Sequence, residues 1–127
     1  MKMKEIISTE NAPKAIGPYS QANKVGTTIY VSGQLPIDPT TGKFAGETIE
    51  EQTKQSLENA KAILESVEYT FDDVVKTTVL LDDIDDFAKM NEVYAQYFKN
   101  NAPARAAFEV AKLPLGAKVE IEMIADK

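Results

Sequence analysis

The chain has no cysteine and no histidine. Without cysteine there is no disulfide, thiolate nucleophile or thiolate metal site. Without histidine there is no Ser-His-Asp triad, no Cys-His pair and no ordinary zinc or non-haem iron site. Basic residues are also few. Fourteen Lys and Arg against twenty Asp and Glu give a net charge of −6, and the cations are scattered. Phosphate binding needs them clustered, so nucleic acid is not expected as a partner. Nor is there a long apolar run: the start, Met1 to Thr9, has no hydrophobic stretch of the targeting kind, and nothing later approaches a membrane span. These absences point to a cytoplasmic protein with no membrane partner.

At 127 residues, 43% hydrophobic and 27% charged, residues 1–127 read as a single globular domain. Ser20 to Gly33 reads as a hairpin turning at Val25-Gly26-Thr27-Thr28, and Pro36, Asp38-Pro39 and Thr41-Gly42 mark a loop. Thr48 with Glu51 is a capping-box signal. Ile49, Thr53, Leu57, Ala60, Leu64 and Val67 then recur at helical spacing. Val74 to Leu81 reads as a buried strand. Ile84, Phe87, Met90, Tyr94 and Tyr97 form the stripe of a second helix, ending before Pro103. Asp82, Asp83, Asp85 and Asp86 read as that helix's start, where acids favour the positive end of the dipole. An all-oxygen cation site is the alternative, though the cluster lacks the glycine and spacing of a calcium loop.

Two C-terminal strands follow, joined by Leu113-Pro114-Leu115-Gly116. The order β-β-α-β-α-β-β, with two helices packed on one face of a mixed sheet, is α+β with ferredoxin-like character. Period-two alternation assigns Ala106, Phe108 and Val110 to the helix-covered side of the penultimate strand, and Arg105, Ala107 and Glu109 to the other. In the last strand Val119, Ile121 and Met123 oppose Lys118, Glu120 and Glu122. The charged side is then either a solvated face or a subunit interface with an ion-binding cleft. That side displays Arg105, Glu109, Glu120 and Glu122, and an arginine and a glutamate brought close together would be one of the few ways this composition could do chemistry.

Six segments resemble the Rid family of reactive intermediate deaminases, also called YjgF-like. They are Asn11-Ala12-Pro13, Ile16 to Ala22, Ser32-Gly33-Gln34-Leu35-Pro36, Val75 to Val79, Pro103-Ala104-Arg105 and Val119 to Glu122. The arginine of Pro-Ala-Arg is similar to that of the RidA subgroup. The resemblance implies a chorismate-mutase-like homotrimer with a central barrel and three clefts between subunits. It implies cofactor-independent hydrolysis, at a C–N bond, of 2-aminoacrylate or 2-iminopropanoate released by pyridoxal-phosphate enzymes, giving a 2-keto acid and ammonia. No metal is implied.

By resemblance Arg105 clamps the substrate carboxylate and Glu120 holds the attacking water, kept ionised by its nearness to Arg105. Tyr19, Ser32 and Gly33 line the substrate site, whereas Ser20, Gln21 and Gln34 read as structural. The alternative is a non-catalytic trimeric protein that binds keto acids or similar carboxylates and regulates an enzyme. Ribonuclease activity, also associated with the family, is disfavoured by the charge, the absence of histidine and the lack of aromatic-basic interleaving. Two positions depart from the pattern. Ala107 stands where several relatives have cysteine, and Glu68-Tyr69 where a helix-ending glycine is usual, so a left-handed or altered turn is expected there.

Overall fold

A computed structural model describes residues 3–127. The main sheet has six strands in the order β1-β2-β3-β8-β6-β7, formed by Lys4–Ile7, Ala22–Val25, Thr28–Gln34, Val119–Asp126, Val74–Leu81 and Ala104–Glu109 respectively. All neighbours are antiparallel except β6 and β7, which are parallel and joined through helix α2, Phe87–Tyr97. Helix α1, Ile49–Glu65, follows a two-stranded ribbon of β4, Ile37–Asp38, and β5, Lys43–Phe44. This is the expected α+β architecture, with β1 and the small ribbon added. β1 is too short, and its first three residues too exposed, to show alternation. No helix among the described residues is long and apolar enough to cross a membrane.

Local signals explain the helix ends. The Glu51 N–H donates to Thr48 Oγ1 at 3.1 Å, and the Thr48 N–H donates back to Glu51 Oε1 at 3.2 Å, closing the capping box. At the far end Glu68 has φ 66°, the left-handed turn expected where a glycine is missing. A non-glycine residue there costs roughly 1–2 kcal/mol. The turn lets the Tyr69 N–H reach the Leu64 carbonyl at 3.0 Å and buries the Tyr69 side chain. The second helix is preceded by a 3-10 turn, Ile84–Asp86, which Asp83 caps by accepting from the Asp85 N–H. The acidic cluster is thus a helix start.

The core lies between the helices and one face of the sheet. Val119, Ile121, Met123 and Ala125 of β8 are buried there, in register with Leu81, Val79, Thr77 and Val74 of β6. Each aliphatic side chain so buried contributes about 1.5–3 kcal/mol. The Thr77 hydroxyl and the Tyr94 phenol, both buried, share a 2.7 Å hydrogen bond that ties β6 to α2. β6 is buried on this face only: Val75 and Lys76, near its start, are exposed.

One assignment is reversed. Parallel pairing sets Arg105, Ala107 and Glu109 of β7 beside Thr77, Val79 and Leu81, the helix-facing residues of β6. Arg105 and Glu109 therefore lie on the helix side, while Phe108 stands beside Leu80 on the open side and is 48% exposed. The crossover through α2 sets this register. β7 is the sheet edge, so its polar side chains reach water at the helix rim, and alternation in β7 marks the wrong face as interior.

Candidate functional site

The centre of the open face is shaped by an irregularity. β3 and β8 pair as Val31 with Met123 and as Gln34 with Ile121, which leaves an extra residue in β3 between them. Ser32 and Gly33 form this bulge. The Glu120 side chain lies directly against Gly33: a Cβ added there would sit 2.6 Å from Glu120 Oε2 and 2.9 Å from its Cδ. Only glycine leaves that space. Ser32 Oγ donates to the Ser20 carbonyl at 2.6 Å, and the Ser32 N–H donates to that of Gln21 at 2.9 Å. These bonds bring the segment carrying Tyr19, itself 54% exposed, alongside the bulge. Ser32, Gly33 and Glu120 are thus brought together by the fold, with the Tyr19 segment hydrogen-bonded beside them.

Glu120 is half-buried, and no donor among the described residues satisfies its carboxylate. Desolvation raises its pKa, and the negative charge of Glu122, two residues on, raises it further. Within one chain Arg105 is too far off for its charge to offset this rise. A carboxyl raised in this way holds a proton more readily than a solvated glutamate does.

Arg105 is elsewhere. Its Nη1 donates to Asn91 Oδ1 at 2.7 Å, and its guanidinium carbon sits 4.7 Å from the centroid of the Tyr94 ring and 5.4 Å from that of Phe87. One amide and two aromatic faces, all on α2, therefore hold an exposed guanidinium at the sheet edge. Its other N–H groups have no partner among the described residues. β6 lies between Arg105 on β7 and Glu120 on β8, and the two side chains occupy opposite faces. Within one chain the expected pair does not meet.

Sequence reasoning missed Asn91, Phe87 and Tyr94 as the arginine's holders. The spacing 87, 91, 94 puts them on one helix face, and Asn91 was the polar exception in an apolar stripe. That exception was the signal.

Residues 9–127 match the family model described as Endoribonuclease L-PSP. The chain belongs to this family, the Rid or YjgF-like family. A RutC family protein of Pyrococcus horikoshii is 58% identical over 98% of this chain and 99% of its own length. The human Rid-family protein named 2-iminobutanoate/2-iminopropanoate deaminase is 53% identical over 97% of this chain and 90% of its own length. Among solved Rid structures, RidA from an Antarctic Psychrobacter superposes with a TM-score of 0.93 at 48% identity, covering 97% of this chain and 99% of that one.

Proposed function

We propose that the protein is an enamine/imine deaminase that hydrolyses 2-aminoacrylate or 2-iminopropanoate-type intermediates to 2-keto acids and ammonia. It would act as a homotrimer in the cytoplasm, with no cofactor and no nucleic-acid or membrane partner. The observation that carries this reading is the separation of Arg105 and Glu120 on opposite faces of one sheet. Each is left with unused hydrogen-bonding capacity, and a cleft between two copies can join them. The human relative at 53% identity, named as such a deaminase, supports the substrate class.

The open face suits burial against other copies. Its register rows place Ile6, Tyr30 and Ile124 on one line, and Phe108, Leu80 and Glu120 on another. Ile6, Tyr30 and Phe108 are large and exposed in the single chain. In the cleft Arg105 of one subunit grips the substrate carboxylate with two parallel hydrogen bonds. Tyr19, Ser32, Gly33 and Glu120 of the next subunit surround the reacting carbon.

An imine carbon is already electrophilic, so hydrolysis needs a positioned water and a place for its proton. Glu120 accepts a proton as the water oxygen bonds to the imine carbon, and the C=N π pair moves to nitrogen. Returning a proton to that nitrogen makes it a leaving amine. Transfer of the carbinolamine hydroxyl proton to the nitrogen, again through Glu120, lets the C=O bond form as the C–N bond breaks, giving the keto acid and ammonia. Positioning of this kind supplies much of an enzyme's acceleration.

The carboxylate-binding regulator is not favoured, because an anion sensor gains nothing from a second carboxylate in its site. The E. coli TdcF structure with bound serine, at TM-score 0.93 and 42% identity, is compatible with either reading. The deciding assay follows pyruvate released from 2-aminoacrylate that a serine dehydratase generates in situ. Wild type should exceed the spontaneous rate and Glu120→Gln should not, while still binding a keto acid. Equal rates for wild type and buffer would remove the deaminase assignment.

A further inference from the structure

Four amide side chains, those of Gln21, Gln34, Gln52 and Asn59, are nearly fully buried. Burying an amide without partners costs about 1–3 kcal/mol, so the direction of each one's hydrogen bonds is informative. All four bond backbone that leads into or out of the candidate site. Gln21 ties down Thr9, Ala12 and Pro13 in the segment ahead of Tyr19. Asn59 Nδ2 donates to the Leu35 and Ile37 carbonyls at 3.1 and 2.9 Å, fixing the turn that follows β3.

The remaining two act closest to Glu120. Gln34 Nε2 donates to the Ser32 carbonyl at 3.0 Å. That carbonyl belongs to the peptide unit entering Gly33, inside the irregularity between the Val31 and Gln34 pairings, so the amide holds the surface on which Glu120 rests. Gln52 Oε1 accepts from the Lys118 N–H at 2.8 Å, and its Nε2 donates to the Gly46 carbonyl at 3.0 Å. Lys118 lies two residues before Glu120, so Gln52 anchors the start of β8 to α1.

We propose that Gln34 and Gln52 are positioning residues for Glu120, one holding the Gly33 floor and the other the strand that delivers the carboxylate. This rests on Glu120 being the carboxylate that handles the water proton. Gln34 read as structural from sequence because the bulge that gives its amide a task is invisible there. The groups that share the open face with Glu120 are limited. Lys118 precedes and Glu122 follows it along the same strand, Lys76 and Tyr30 lie further along β6 and β3, and the adjacent Leu80 and Gly33 do not titrate.

The test uses the full chain with Gln34→Met and Gln52→Met, which keep volume but remove the amide, and Gln34→Asn, too short to reach Ser32. Two quantities are read: steady-state hydrolysis of 2-aminoacrylate, and the titration of Glu120 by carboxyl 13C NMR, assigned with Glu120→Gln. We expect kcat to fall about tenfold with KM held within about twofold. Glu120 should titrate at lower pH than in wild type, because a carboxylate released from its floor regains water. A merely structural role would lower the melting temperature and leave the titration of the folded fraction unchanged. Folded variants with wild-type titration would overturn the proposal, as would failure of every variant to fold. Normal turnover in Glu120→Gln would instead remove that residue's chemical role, while the titration shift would still decide whether the amides position it.

Discussion

The two ends of the candidate site are built on opposite principles. Glu120 sits in the middle of the sheet on a bulge, pressed against a glycine, with buried amides fixing the backbone around it. Arg105 sits on an edge strand and is held by side chains alone, the Asn91 amide and the Tyr94 and Phe87 rings. Backbone shape governs the carboxylate, so its failures should be steric and should show in the chemical step. Packing against one helix governs the guanidinium, so its failures should show in substrate capture.

Arg105→Ala should have the largest effect. Removing the partner of a desolvated carboxylate costs several kcal/mol, so kcat/KM should drop on the order of 10²–10³-fold with the oligomer intact by light scattering. Gly33→Ala comes next, since its Cβ would meet the Glu120 carboxyl oxygen at 2.6 Å. The flexible carboxylate yields before the backbone does, so kcat should fall roughly 10–100-fold with little change in melting temperature. Asn91→Ala leaves Arg105 its aromatic faces but not its orientation. A rise in KM of about tenfold with a smaller change in kcat separates the arginine end from the carboxylate end. A fall in kcat at constant KM would erase that distinction.

The smallest effect is on pH dependence. Burial and Glu122 both raise the pKa of Glu120, and in the proposed reaction the ionised form is the one that takes the water proton. Activity should therefore be lost, as pH falls, at a higher pH than an ordinary glutamate would give. Glu122→Gln removes one of the two causes and should move that acid limb to lower pH. An unmoved limb would mean that another group controls it.

How much of this was legible in the sequence follows the same division. β8 is a central strand with neighbours on both sides, so its alternation separated Val119, Ile121 and Met123 from Glu120 and Glu122 correctly. β7 is an edge strand, and its interior side carries Arg105 and Glu109 while Phe108 faces outward, so the same rule inverted its faces. The capping box and the missing helix-end glycine were readable because they depend only on neighbouring residues. The bulge at Ser32–Gly33 depends on a strand some ninety residues away, and no local pattern announces it. Asn91 needed both a helix register and the corrected face of β7 before its partner could be identified.

The central claim is that Arg105 and Glu120 act together only across two copies of the chain. The most direct measurement mixes Arg105→Ala and Glu120→Gln subunits, each inactive alone, by co-refolding at equal amounts. In a cyclic trimer every mixed assembly contains one cleft with both residues intact, so about a quarter of wild-type activity should return. No recovery from well-mixed, folded trimers would contradict a site shared between subunits.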